Sequence, residues 1–481
     1  MQYHSTRGLS PEIDSAQAVL NGLAPDGGLY LPLELPVFSW KNCIEKDVLG
    51  MAEMILSAFL PDIPDMENLV KKAYLGKFET DNLTPTVPVG DFHVLELFRG
   101  PTSAFKDVAL SMLPQLMTAA KNAKGEKEDI LILTATSGDT GKAALEGFKD
   151  VEGIRICVFY PHGGVSDVQR RQMVSQEGQN VTVCAVRGNF DDAQTGVKEI
   201  FTACQSKDLP VRLSSANSIN IGRLVPQITY YFKAYRDLLD AGKVKLGEQV
   251  NFSVPTGNFG DILAGYLAKK LGLPVGKLIC ASNANNVLTD FICTGTYDRR
   301  RQLYKTDSPS MDILVSSNLE RLLYLMSGDS GLVAGLMKQL NTQGYYQVPE
   351  TLLKEIQEQF WAGWSDDQEG AETICKIWKE NRYLCDTHTA SGWTVAEDYV
   401  NQTGDARPMV VLSTASPYKF PAAVLKAIGE EAKGDEFDQL DQLCAVTGVP
   451  IPKNLAALRT MPERHKAVID KDKMLDFVLA L

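Results

Sequence analysis

Residues 130–148 read ILILTATSGDTGKAALEGF. The run 130–135 is apolar and rich in branched side chains, the pattern of a strand buried on both faces. Thr136-Ser137-Gly138-Asp139-Thr140-Gly141 follows as a loop of hydroxyls and glycines, and 141–148 carries helical spacing. The same order recurs outward from this stretch. Strand-like runs are HVLELF (93–98), IRICVFY (154–160), VTVCAV (181–186), VNFSV (250–254), KLICAS (277–282) and MVVLS (409–413); helical patterns occupy 191–204, 219–239 and 260–271. Alternating strands and helices predict an α/β protein built on parallel sheets with both faces covered.

At 481 residues the chain has room for two or three domains of ~100–200 residues. Asp plus Glu number 60 against 48 Lys plus Arg, a formal charge of −12. A field of that sign repels phosphate backbones and anionic lipid, which argues against nucleic-acid or membrane-surface binding by the chain as a whole. The nine cysteines include no C-x-x-C pair, and Cys157 and Cys280 sit in apolar runs, so they read as core hydrophobes in a reducing compartment. The opening MQYHSTRGLSPEID has no apolar leader, and no run approaches the ~18 apolar residues of a membrane helix; a cytoplasmic protein is expected. Residues 1–90 are expected to be helical with loops, with helices at 14–23 and 48–60 and a linker at 82–89. Residues 350–400 are expected to be helical, and 422–433 to be a charged helix ahead of an apolar end, FVLAL, that docks on the body.

Ligands of parallel α/β sheets bind beyond the carboxyl ends of strands, where helix N-termini converge. Three strand ends stand out. The loop 136–141 offers hydroxyls and glycines but is not a nucleotide P-loop: Thr136 stands where Gly is needed, and Ala143 follows Lys142. An ordinary capped turn explains it equally well. Pro255-Thr256-Gly257-Asn258-Phe259-Gly260-Asp261 joins a strand to a helix with glycines that admit backbone close to a ligand, and a single phosphate monoester suits it. Ser413-Thr414-Ala415-Ser416-Pro417 is, taken alone, a polar turn. Lys106 opens an apolar helix after Phe105; a snorkelling lysine, or one paired with Asp107, outweighs a desolvated Schiff-base amine on this evidence alone. There is no H-E-x-x-H, no close histidine pair and no G-x-S-x-G, so a metal site and a hydrolase triad have no support. His388 reads as a structural histidine.

Taken together, a Schiff-base lysine, a glycine-rich phosphate cup and a hydroxyl-bearing strand end resemble the pyridoxal 5′-phosphate (PLP) enzymes of fold type II, the tryptophan synthase β type. The resemblance tightens to the threonine synthase family and covers nearly the whole chain. YHSTRG (3–8) and APDGGLYLP (24–32) look like that family's N-terminal signatures, which related dehydratases and cysteine synthases lack. FRGPTSAFKD (98–107) resembles its PLP-lysine segment, TGNFGD (256–261) its cofactor-phosphate loop, STASP (413–417) its pyridine-side strand end, and SSANSINIGRLVPQ (214–227) its substrate segment. Two positions depart from patterns common among relatives: Asp139 stands where Asn is frequent near the cofactor's phenolic oxygen, and Ser416 where the family often has His.

The resemblance implies two parallel-sheet α/β subdomains with a helical N-terminal region. It divides the chain into an N-terminal domain (1–90), a PLP-binding catalytic domain of two subdomains (91–430) and a C-terminal helical segment (431–481). It implies Lys106 as catalytic residue, with Lys106, Phe105, Asp139, Gly257, Asn258, Phe259, Gly260, Asp261 and Thr414 toward PLP. Ser137, Thr140, Asn217, Ser218 and Arg223 fall toward the substrate, and no metal is implied. The implied reaction converts O-phospho-L-homoserine and water into L-threonine and phosphate, in a monomer or homodimer. Other readings are a threonine synthase-like phospho-lyase, a threonine or serine dehydratase-like lyase, or a non-enzymatic binding protein on the same scaffold. Lys106 with three intact strand-end loops argues against the last.

Overall fold

Two sheets whose strands run parallel, one of six strands and one of five, carry the fold of the computed structural model, which describes residues 1–136, 138–204 and 211–481 without the side chains of Asp191 and Thr202. The larger sheet has the order Phe360–Trp364, Val275–Ser282, Val250–Pro255, Met409–Ser413, Phe92–Glu96, Thr86–Val89, parallel except at the last, antiparallel edge. The smaller, all parallel, has the order Ala467–Asp470, Val181–Arg187, Ile154–Pro161, Asp129–Ala135, Val211–Ser214.

The period of two in a strand explains how each sheet is held. In Asp129–Ala135, Ile130 and Ile132 enter the main core with Ala143, Ala144, Leu145 and Phe148 of the helix Asp139–Phe148. Leu131 and Leu133 enter a separate core with Ala193, Val197, Ile200 and Cys204 of the helix Phe190–Cys204. Each such side chain removed from water contributes roughly 1.5–3 kcal/mol, so a strand apolar on both faces is fixed in register by two cores at once. Met409–Ser413 divides in the same way: Val410 and Leu412 join the main core, Met409 and Val411 a third.

Several segments differ from their sequence reading, each for a local reason. The segment 82–89 is not a plain linker, because Thr86–Val89 forms the antiparallel edge strand, where Pro88 lacks only a donor the edge does not need. The pattern 219–239 breaks into Ile221–Leu224, a 3₁₀ turn Val225–Gln227 and the helix Ile228–Asp240; Pro226 supplies no N–H to a continuous helix. Within 350–400, Phe360–Trp364 is an edge strand. The helix expected at 422–433 is the shorter Pro421–Ala427. Beyond it, Ala467–Asp470 adds a parallel strand to the smaller sheet, and Met474–Leu479 packs on the helix Phe190–Cys204. Among the described residues no helix is long and apolar enough to cross a membrane.

The N-terminal region contains helices, among them Ser15–Asn21, Val48–Phe59 and Met66–Tyr74, and also a three-stranded antiparallel sheet of Ile13–Asp14, Gln2–Ser5 and Tyr30–Pro32. That sheet joins the two N-terminal motifs: Ser5 Oγ donates to Asp26, which also accepts from the Gly28 amide. Arg7 then reaches across to Glu320 through Nε and Nη2 (2.9 and 2.8 Å), and Thr6 Oγ1 donates to the same carboxylate (2.6 Å). Next to it the fully buried Arg321 donates to Tyr30 O (3.1 Å) and Ile219 O (2.7 Å). Glu320 is buried while Arg7 retains some contact with water. Glu320→Ala should therefore cost roughly 2–3 kcal/mol, below the ~3–5 kcal/mol of a wholly buried broken pair. Denaturant unfolding measures this, and an unchanged midpoint would contradict the account.

Candidate active site

The segments that follow five strands converge around Lys106. From the larger sheet come the segments after Phe92–Glu96, Met409–Ser413 and Val250–Pro255, which are adjacent strands; from the smaller come those after Asp129–Ala135 and Val211–Ser214, also adjacent. Lys106, Asp139, the loop 255–261, Thr414 and the segment 214–224 all follow these ends.

Lys106 is fixed by the turn before it. Phe105 N donates to Thr414 O (2.8 Å), Ser416 N donates to Ser103 O (3.1 Å), and Ala104 and Ala415 form an isolated antiparallel bridge. Ser103 takes a left-handed φ of 61° to make that turn. The helix Lys106–Lys124 then begins with its first residue only 9% exposed. The Lys106 ammonium lies 4.6 Å from the Phe105 ring centre and 4.0 Å from Asp139 Oδ2, the outer limit of ion pairing. Burial pushes this amine down to about 8; Asp139 and Asp107 oppose the shift, while Lys419 and Arg223 add to it.

Asp139 is held elsewhere. Its Oδ1 accepts from Lys419 Nζ at 2.6 Å and from Gln169 Nε2 at 3.1 Å. Burial alone would raise its carboxyl, but the ammonium charges of Lys419 and Lys106 and these hydrogen bonds hold it well below the usual carboxylate range. Asp139 is thus an ionised anion turned to Lys419. Its helix starts through Thr136, whose Oγ1 accepts from the amides of Gly138 and Gly141. Gly138 has φ 148°, and a Cβ there would stand 2.4 Å from the Gln169 side chain, so only glycine serves. Lys142 bonds to Glu146 and Gln176 rather than facing the loop, as the failed P-loop match requires.

The loop after Val250–Pro255 presents a run of free backbone amides. Phe259, buried and left-handed at φ 62°, turns it into the helix Gly260–Lys270, and the amide N–H groups of 257–260 donate to no described protein group. Asn258 exposes its side chain, while its carbonyl accepts from the Asn318 amide and side chain (3.0 and 3.1 Å). A Cβ on Gly257 would stand 2.7 Å from Ser310 O, so the covering segment leaves space only for glycine. Asp261 faces away from these amides: Oδ1 accepts from Tyr230 OH (2.5 Å) and Tyr231 OH (3.0 Å), Oδ2 is buried without a partner, and burial raises the carboxyl to about 6.

Arg223, on the short helix Ile221–Leu224, is 3% exposed. Its Nη1 donates to Ala216 O (2.6 Å), its Nε has no partner, and no carboxylate of a described residue pairs with it. Burial lowers it to about 10. A buried, incompletely satisfied guanidinium is a site for an anion. Asn217 and Ser218 lie half-buried just before it, their side chains bonded to no described residue; Thr140 is half-buried in the first turn of its helix, and Ser137 lies outside the described residues. Thr414 is buried at the turn beside Phe105.

His388 is structural, as read: Nδ1 pairs with buried Asp386 (2.7 Å) and Nε2 accepts from Ser310 N (3.1 Å), which pins the segment over the loop 255–261. Sequence reasoning missed Lys419, Gln169, Asn318 and Arg321. For Lys419 a signal existed, a lone lysine between Tyr418 and Phe420 directly after a strand-end turn. The others are ordinary polar residues of helices or caps.

The comparisons with known proteins agree with this geometry. Residues 79–338 match the family model "Pyridoxal-phosphate dependent enzyme", which sets the class of the fold and its site. Residues 2–74 match "Threonine synthase N terminus" and 389–478 match "Threonine synthase, C-terminal". A threonine synthase of Pseudomonas aeruginosa is 39% identical over 97% of this chain and 98% of its own length. The chain belongs to the threonine synthase family. It is similar over its full length to a PLP-bound threonine synthase structure from Brucella melitensis, at 40% identity, 99% coverage of that chain and a TM-score of 0.88. It is also 38% identical to the human "Threonine synthase-like 1", over 94% of this chain but only 63% of that longer relative.

The cofactor of this class is pyridoxal phosphate, and the residues fit it: a buried lysine for the aldehyde and a cradle of free amides for the phosphate. Burial also raises Asp107 to about 6. For either Asp, between ~4, its unfolded value, and ~6 the native state retains a proton that the unfolded chain has released, so stability falls as pH rises through this window. Asp261→Asn should flatten the stability–pH curve from about pH 4 to 6 by up to ~1.4 kcal/mol per pH unit. Unfolding at a series of pH values tests it; an unaltered slope would refute the assignment.

Proposed function

We propose that the chain catalyses the threonine synthase reaction, converting O-phospho-L-homoserine and water into L-threonine and inorganic phosphate. It would act as a PLP-dependent carbon–oxygen lyase in threonine biosynthesis. The observation that carries this reading is the proximity of a buried lysine amine to a buried guanidinium with which no carboxylate of a described residue pairs.

Pyridoxal phosphate, when bound, supplies an aldehyde for attachment of amines and a conjugated ring that accepts the electron pair of a carbanion. Lys106 is the attachment residue. The amides of Gly257, Asn258, Phe259 and Gly260 hold the cofactor phosphate, Phe105 and Asp139 flank Lys106, Thr414 serves the ring nitrogen as a neutral partner, and Asp261 braces the loop. Arg223, with Ser137, Thr140, Asn217 and Ser218, holds the substrate's phosphate or carboxylate through forked and hydroxyl donors. The Lys106 amine, lowered toward neutrality, takes the substrate Cα proton as general base. Water must be excluded until elimination is complete, so the smaller sheet's subdomain closes on the substrate.

We further assign residues 1–90 to an N-terminal domain, 91–430 to the catalytic domain and 431–481 to a C-terminal segment, in a cytoplasmic monomer or homodimer. The N-terminal domain docks on the catalytic domain through Arg7 and Tyr30, which bond to Glu320 and Arg321.

Phosphohomoserine should yield phosphate and threonine in equal amounts. Phosphate with a 2-oxo acid in place of threonine would instead mark the phospho-lyase reading. Lys106→Ala should abolish turnover. Arg223→Met should lower kcat/KM by about 10²–10³-fold, the scale of a lost anion-stabilising donor. A Lys106→Ala enzyme that still turned over would remove the mechanism.

A further inference from the structure

The proposed reaction gives no role to Lys419, yet its side chain is wholly removed from solvent beside Asp139. It ends the 3₁₀ turn Pro417–Lys419, which begins three residues after Thr414. Nζ donates to Thr102 O (3.2 Å), in the turn that presents Lys106, and pairs with Asp139 Oδ1 at 2.6 Å. Gln169 Nε2 donates to the same oxygen. Only Oδ2 faces Lys106, at 4.0 Å. One buried carboxylate thus stands between two buried lysines and is taken by one of them.

The distances decide which. Coulomb attraction falls with separation, and the close contact adds a charge-assisted hydrogen bond that the long one lacks. Without Lys419, Asp139 would be a buried anion with Lys106 as its nearest cation. An ammonium locked in such a pair keeps its proton and has no lone pair with which to attack a carbonyl. We propose that Lys419 is a positioning residue: by occupying Asp139 it leaves the Lys106 amine without a close ion-pair partner and free to act as a nucleophile. The other charged groups that act on Lys106 do not replace it. Arg223 is a cation, Asp107 is engaged by the Thr102 amide and hydroxyl, and Asp261 is engaged by Tyr230 and Tyr231.

The inference rests on Lys106 being the attachment residue, and the experiment separates the two. The full-length chain, freed of cofactor, is mixed with pyridoxal phosphate at a series of pH values from about 6 to 10, spanning the lysine range. The neutral amine adds to the aldehyde carbon, C=N replaces C=O, and water leaves; borohydride then delivers hydride to that carbon. Mass spectrometry follows the Lys106 adduct against time. Lys419→Met should move the midpoint of the rate–pH curve upward by about one unit, a tenfold slower attachment at neutral pH, and Lys419→Arg should restore it. The double variant Lys419→Met/Asp139→Asn should return to the wild-type midpoint, because the competing anion is gone. Asp139→Asn alone, which keeps Lys419, should shift the midpoint downward and serves if Lys419→Met does not fold. A Lys419→Met midpoint equal to wild type, a double variant shifted as far as the single one, or an unmoved Asp139→Asn midpoint would overturn the inference. Wild-type protein with no adduct on Lys106 would overturn both it and the attachment reading.

Discussion

A primary amine in a protein interior must either give up its proton or find an anion, and the cleft of this chain is arranged around that constraint. Lys106 is placed at the first turn of a buried helix, at the junction of two sheets, with Phe105 against it and a guanidinium nearby. Among the described residues the one carboxylate within ion-pairing distance, Asp139, is drawn to a second lysine. Desolvation therefore acts on Lys106 with only partial compensation, and the amine is poised near neutrality. The two lysines differ in their surroundings rather than in their chemistry.

Holding that balance needs rigid supports, and the chain supplies them through backbone hydrogen bonds more than through charge. The turn 103–106 is tied to 414–416 by reciprocal main-chain contacts, so the lysine and the neighbouring strand end move as one unit. Asn318 links the carbonyls of Ser218 and Asn258, and Arg321 links Ile219 to Tyr30. The segment 217–219, the loop 255–261 and the N-terminal sheet are therefore joined through four consecutive residues, 318–321. This gives the two N-terminal motifs a physical meaning. They anchor the segment 318–321, whose Asn318 donates to both the Ser218 and the Asn258 carbonyls.

The parts legible in the sequence were those written in local pattern. Strands such as Asp129–Ala135 and Val250–Pro255 were read to within a residue because they are apolar on one or both faces and end in glycine or polar punctuation. The loop 255–261 stands out by its position after a strand, whereas Lys106, at the head of an apolar helix, reads as a snorkelling lysine until the family resemblance singles it out. Phe360–Trp364 was missed because FWAGW lies among helices and is a strand only by pairing with Val275–Ser282. Val211–Ser214 is four residues long and carries Arg212, so periodicity had little to act on. The pairing with Asp139 is not legible for a different reason: YKF marks an unusual lysine, but Lys419 is far from Asp139 in sequence and the stretch does not say where its ammonium points. The departure at Asp139 was noticed, but only the three-dimensional pairing shows that the added negative charge comes with its own counter-charge.

The parallel pairing of Ala467–Asp470 with Val181–Arg187 bears on how the polypeptide is made. The smaller sheet's inner strands emerge from the ribosome early, but the strand that covers their outer flank is translated only after most of the chain. Until then Val181–Arg187 presents a row of unpaired amides and carbonyls beside an incompletely covered hydrophobic layer, the kind of template on which nascent chains adhere to one another. A segment remote from the chemistry thus acts as a late-arriving seal, and premature termination before it would leave a sticky product even with every residue of the cleft already synthesised.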